Sequence, residues 1–153
     1  MELWELAARE RIRDSLARYN WSGDALRLDE LAQSFCEDGQ LQLRGGEPLR
    51  GRQAIVEFLG GVADGTTAPV VKRIVRHNLT NIRFTELTPR QARVASYFTV
   101  FTEIGLDHYG RYRDTFVPVG LGEPCEWLIQ HRFVSTDWRA PDSTMAPPTG
   151  SHR

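Results

Sequence analysis

Histidine is the side chain whose ordinary titration falls near neutral pH, and this 153-residue chain carries four, at positions 77, 108, 131 and 152. Their spacing excludes several chemistries. No HxH, HExxH or Cys/His ligand pattern is present, so no metal is expected. Gly45-Gly46 and Gly60-Gly61 lack the surroundings of a phosphate-binding loop, no GxSxG elbow occurs, and Cys36 and Cys125 form no CxxC pair. What remains is proton transfer by side chains without a cofactor. His77 shares a strand face with Val75 and Leu79, Tyr19 lies on the apolar face of a helical stretch, and Asp24 follows Gly23 just ahead of another helix. Each has a structural use as well: a bonded core histidine, a core tyrosine, and an aspartate that caps free backbone N–H groups. His108, beside the Asp107 turn, is expected to be solvated, and Asp114 is expected to form a surface pair with Arg111 or Arg113. His131 adjoins Arg132 on the last strand, with its direction open.

The elements that must position these residues follow from periodicity. Trp4, Ala8, Ile12, Leu16 and Tyr19 recur at helical spacing with charged residues between them, which predicts an amphipathic first helix interrupted at Asn20-Trp-Ser-Gly23. Leu28, Leu31, Ala32 and Phe35 form the apolar face of a second helix that stops near Asp38-Gly39. Leu41 and Leu43 alternate with glutamines as a strand, and Gly51 to Leu59 reads as a third helix ended by Gly60-Gly61. From Val70 onward β-branched and aromatic residues dominate. Strands are predicted over Arg73 to Thr85, Ala92 to Ile104, Tyr109 to Val119 and Trp127 to Trp138. Thr88-Pro89, Gly105-Leu-Asp107 and Gly120 to Pro124 are the turns between them. Helices first and an antiparallel meander last indicate an α+β domain over residues 1–138. The proline-containing segment 139–153 has few large apolar residues and reads as a flexible tail.

The formal net charge is -1 and both signs are interleaved, so nucleic acid is not an expected partner. The N-terminus lacks the basic and apolar regions of a signal peptide, and no apolar run reaches membrane-spanning length. Two isolated cysteines fit a reducing cytoplasm, so the sequons Asn20-Trp-Ser22 and Asn78-Leu-Thr80 are read as accidental.

Several strings occur in a telling order: Ile12-Arg-Asp and Ala17-Arg-Tyr19, Asp24, Asp29-Glu-Leu-Ala-Gln-Ser-Phe35, and Leu49-Arg-Gly-Arg-Gln-Ala-Ile55. His77-Asn78 with Asn81, Gly110-Arg-Tyr-Arg-Asp114, and Trp127 with Arg132 follow. Over most of Glu5 to Trp138 this order resembles the SnoaL-like branch of the nuclear-transport-factor-2-like superfamily. The resemblance implies a curved, mostly antiparallel sheet forming a cone or half-barrel, with three N-terminal helices closing an apolar pocket. Within the branch the chain is most similar to the scytalone-dehydratase and bile-acid-dehydratase type. There a tyrosine and an aspartate at the end of the first helix face a histidine on a central strand. The matching positions are Tyr19, Asp24 and His77; the position where such enzymes place a second polar catalytic group, a histidine or an aspartate, falls near Thr102, a departure from the pattern. Alternation from His77 places Phe98, Val100 and Thr102 along the pocket. The implied roles are proton transfer for His77, orientation of its ring for Asp24, and a bond to the substrate oxygen for Tyr19.

The function so implied is a cofactor-independent lyase or isomerase, dehydratase-like, acting on an apolar oxygenated small molecule such as a polyketide or steroid. A non-catalytic ligand-binding or assembly module and an epoxide-opening hydrolase or cyclase are the alternatives, since one fold carries many activities. A homodimer or homotrimer through the outer sheet face is the implied assembly.

Overall fold

Every second residue of one central strand is buried, namely Ala92, Val94, Ser96, Phe98 and Val100, so the sheet has one covered and one open face. The computed structural model describes residues 1–63, 74–122 and 125–146. The expected strand start at Arg73 and His152 lie outside them, as does part of the Gly120 to Pro124 turn.

In chain order the elements are α1 (Leu3–Asp24), α2 (Leu28–Ala32), β1 (Phe35–Leu43), β2 (Leu49–Arg50), α3 (Arg52–Ala63), β3 (Arg76–Leu87), β4 (Ala92–Thr102), β5 (Gly105–Val119) and β6 (Glu126–Arg139). One six-stranded sheet has the order β2-β1-β6-β5-β4-β3. β1 runs parallel to β6 and every other pairing is antiparallel, so the sheet is mixed. It is not closed into a barrel, because β2 and β3 stand at opposite edges. The α+β class with N-terminal helices is as expected. No helix among the described residues is long and apolar enough to cross a membrane.

α1 starts where the Glu5 carboxylate accepts the Glu2 main-chain N–H at 2.6 Å, and it lays Ala8, Ile12, Leu16 and Tyr19 on the sheet. Burying Ile12 and Leu16 contributes about 1.5–3 kcal/mol each, and the Ser15 hydroxyl ties the helix to the Trp127 carbonyl at 2.6 Å. Phe35, Leu41, Ile55, Phe116, Trp127 and Ile129 complete this core.

Local signals misjudged three boundaries, each for a tertiary reason. α1 continues through Asn20-Trp-Ser-Gly23, because a Cβ at Gly23 would lie 3.0 Å from Leu31 Cδ1: the glycine permits close helix packing rather than ending the helix. The second helix stops at Ala32, and Phe35 opens β1 by pairing with Ile129. α3 runs through Gly60-Gly61 to Ala63, where packing against α2 outweighs the helix cost of glycine, about 1 kcal/mol per residue.

Candidate functional site

α1 ends because Leu26 adopts a left-handed backbone, φ 58°, with its N–H bonded to the Gly23 carbonyl at 3.0 Å and the Arg27 N–H to the Ser22 carbonyl at 2.8 Å. Asp24 is thus the last helical residue, while the N-cap of α2 is Arg27. Asp24 caps no helix. Its Oδ2 accepts the main-chain N–H of His77 at 2.9 Å, and its Oδ1 lies 2.6 Å from Nδ1 of the same residue. β3 is an edge strand, so the N–H groups along its free side need acceptors from elsewhere, and the end of α1 supplies one. The two side chains are 13% and 20% exposed, shielded but reachable.

The register across the sheet places a second histidine beside the first. His77 pairs with Val100, and Val100 pairs with His108, so the three share a face. At about 5 Å per step between opposed Cβ atoms, the Cβ atoms of the two histidines stand about 10 Å apart. His108 is buried rather than solvated. The β4–β5 hairpin turns at Glu103 and Ile104, earlier than the expected Gly105 to Asp107 turn, so His108 lies within β5. A register shift between Val100 and Phe101 inserts Asp107 as an extra residue, which lets both Asp107 and His108 be buried. Nδ1 of His108 lies 2.6 Å from Asp107 Oδ1. Thr102 does not supply the second polar group; its hydroxyl donates to Asp107 Oδ2 at 3.2 Å.

Burial pushes the Asp107 carboxyl up, but hydrogen bonds from Ser143, His108 and Thr102 outweigh it and hold the group below its ordinary value. The ionised carboxylate can only accept, so Nδ1 of His108 carries the proton and Nε2 the lone pair. Burial also lowers His108, against the pull of Asp107, and the proximity of His77 and Arg139 acts in the same sense as burial. At neutral pH this imidazole is uncharged.

Beyond His108 the inner face is aromatic. The Phe98 ring meets His108 edge-on at 5.9 Å and stacks on Tyr112 at 4.6 Å, and Tyr112 meets Tyr19 edge-on at 6.2 Å. Phe98 and Val100 therefore lie on the expected face. Among the described residues no hydrogen bond joins Tyr19 to Asp24 or His77; its ring bears instead on Phe35, Tyr112 and Arg132. The Arg132 guanidinium sits 4.2 Å from the Tyr19 centroid and 4.0 Å from that of Tyr112. Burial pushes both phenols up, so they stay protonated and can donate.

Arg132 is held by Asp114 through two bonds of 2.8 Å, with both side chains fully buried. This corrects the expected surface pair. Arg111 bonds Asp137 instead, because Arg111 and Asp114, an odd number of residues apart, face opposite sides of β5. His131 lies 3.1 Å from Gln42 on β1 and belongs to a different neighbourhood. Periodicity missed His108, Asp107, Tyr112 and the Arg132–Asp114 pair; a shorter β4–β5 turn puts His108 inside β5, but only the extra residue at Asp107 turns it to the inner face. Among the described residues no group of three or more His, Cys, Asp or Glu is arranged to hold a metal ion.

Comparison with known proteins agrees with this architecture. The family model described as a SnoaL-like domain matches residues 4–133. A protein of Novosphingobium aromaticivorans, provisionally named a scytalone dehydratase, superposes with a TM-score of 0.73 at 22% identity, covering 100% of both chains. A Catenulispora acidiphila protein in complex with S-DNPA gives 0.72 at 24% identity over 86% of this chain and 95% of the other. ActVI-ORFA from Streptomyces coelicolor gives 0.70 at 18% identity over 84% and 96%. No curated protein matches the chain. At these identities the likeness is one of fold.

Proposed function

Because the chain belongs to the SnoaL-like domain family, we propose that it is a cofactor-independent lyase or isomerase that moves a proton on an apolar, oxygenated small molecule. The observation that carries this reading is the Asp24–His77 pair, with its 2.6 Å contact, on the same sheet face as the buried Asp107–His108 pair. Each carboxylate occupies Nδ1 and leaves Nε2 as the ring atom open to a ligand. On this reading the ligand lies between the two oriented imidazoles, two strands apart on one sheet face, with apolar Phe98 and Val100 on that same face.

The chemistry is a dehydration or its isomerising counterpart. Nε2 of His77 removes the proton next to a carbonyl; the electron pair forms the new C–C double bond as the β-hydroxyl leaves, and the same proton returns to it as water departs. His108, uncharged at neutral pH with its lone pair on Nε2, accepts the O–H of the hydroxyl and so orients it for the proton that His77 delivers. Tyr19 and Tyr112, kept protonated by burial, are the donors for the carbonyl oxygen. A polyketide or steroid-like ring system is the ligand class that the aromatic residues Phe98, Tyr112 and Tyr19 favour. The Catenulispora acidiphila structure in complex with S-DNPA supports a ligand-binding role for the fold.

The outer sheet face carries exposed Tyr97, Phe101, Tyr109 and Trp138, an apolar patch that supports a homodimer or homotrimer. Light scattering at micromolar protein distinguishes these from a monomer. Cys36 and Cys125 are both free, in keeping with a cytoplasmic setting. The catalytic reading is tested by incubating the protein in deuterated water with a hydroxylated tetralone and following deuterium at the carbon next to the carbonyl. Exchange or release of water by the wild type supports it. Binding with neither would leave a non-catalytic carrier.

A further inference from the structure

The segment after β6 folds over the second carboxylate–histidine pair. The Ala140 N–H donates to the Asp107 carbonyl at 2.7 Å, and the Ser143 N–H closes a turn on the Ala140 carbonyl at 3.0 Å. The Arg139 guanidinium bonds the Ser143 carbonyl from the position opposite His108 on β6. Ala140, Ser143 and Ala146 are buried, although this stretch was expected to be a free tail. Small residues make the contact, so no apolar signal announces it.

The Ser143 hydroxyl lies 2.6 Å from Asp107 Oδ1, while the N–H groups of Met145 and Ala146 point at the same oxygen from 3.4 and 3.3 Å. With its lone pairs engaged by two donors, its single proton is left for the carboxylate. Asp107 Oδ1 therefore receives both Ser143 O–H and His108 N–H, and Oδ2 receives Thr102. The order of contacts is serine to carboxylate to histidine, so the hydroxyl is not next to the imidazole and is not activated as a nucleophile.

We propose that Ser143 is a positioning residue for His108: it fixes the Asp107 carboxylate and, through it, the tautomer that presents Nε2 to the ligand. This rests on His108 taking part in the reaction above, but its geometry can be tested without a substrate. The charged or titratable groups facing His108 are Asp107 beside it, His77 from β3 and Arg139 from β6.

The test is nitrogen-15 NMR of the histidine rings across a pH titration, in the full chain and in Ser143→Ala, Ser143→Cys and Ser143→Thr. Cysteine fills similar space with a far weaker donor, and threonine keeps the hydroxyl. In the wild type His108 should show the Nδ1–H tautomer. Ser143→Ala and Ser143→Cys should mix the tautomers and move the His108 midpoint upward, since Asp107 becomes more basic and water enters; Ser143→Thr should restore both. The signals of His77 and His131 should stay at their wild-type positions. A His108 tautomer and midpoint unchanged in the cysteine variant overturns the proposal, even if the alanine variant fails to fold. Absence of turnover with unchanged NMR behaviour in the wild type would count against the catalytic reading alone.

Discussion

Asp114→Ala should be among the most damaging single changes in this protein. Both bonds to Arg132 measure 2.8 Å, and neither side chain is exposed. Removing the carboxylate leaves a guanidinium in the interior with only two tyrosine rings against it and Nη1 already without a hydrogen-bond partner among the described residues. Breaking a buried pair by deleting one partner costs about 3–5 kcal/mol. At about 2–4 °C per kcal/mol for a chain of this size, the melting temperature should fall by roughly 10 °C. The Arg111–Asp137 pair is an internal control: it has similar two-pronged geometry, at 3.1 and 3.0 Å, but lies at the surface with both side chains about a third exposed. Asp137→Ala should cost under about 1 kcal/mol. Urea and thermal melts of the two variants are the assay. Equal losses would refute the claim that burial, rather than geometry, sets the value of the Arg132 pair.

Other outcomes follow from the same contacts. Gly110→Ala should unfold the protein or lower its melting temperature sharply, because the new Cβ would overlap the Ser135 carbonyl oxygen and lie 2.8 Å from Phe98 Cζ; near wild-type stability in a thermal melt would show that β5 and β6 can separate there. His108 has a lowered pKa, so the unfolded chain takes up a proton near about pH 6.5 while the folded chain does not. Its contribution is present above that pH and is lost as pH falls towards the folded value. Urea midpoints should therefore drop between pH 7.5 and 5.5, and His108→Gln should flatten the decline. Asp107, also lowered, adds a second loss only below about pH 3.9, and an unchanged slope in His108→Gln would mean that His108 is not buried uncharged.

What was legible in the sequence was whatever depends on local periodicity. The Ile12, Leu16 and Tyr19 face of α1 and the alternation through Phe98 and Val100 are one-element patterns, and with the order of helices and strands they gave the class and the inner face. Features set by distant partners were not legible. Phe35 has helical spacing from Leu28 and Leu31, yet it becomes a strand residue because Ile129, far along the chain, is there to pair with it. Asp114 has arginines one and three positions before it in the chain, but pairs with Arg132 across the β5–β6 ladder. His108 was misjudged for a subtler reason: a one-residue bulge reverses which side chains face inward, and nothing in Gly105-Leu-Asp-His108 marks it. The family resemblance paired Asp24 with His77 where propensity offered only a helix cap, and the observed contact between them is the part of the site that local reasoning alone could not reach.

The central claim is that Asp24 and His77 act together in proton transfer. The direct measurement is turnover of a hydroxytetralone that the wild type converts, in Asp24→Asn, His77→Gln and the double variant, with melting curves taken on the same samples. Asparagine can still accept the His77 main-chain N–H, so Asp24→Asn should melt close to wild type. Each single change should cut turnover by about 10²-fold or more. The double variant should be little worse than either, as groups acting as one unit are not additive. Full activity in both single variants would contradict the account and leave the pair a structural tie between α1 and β3.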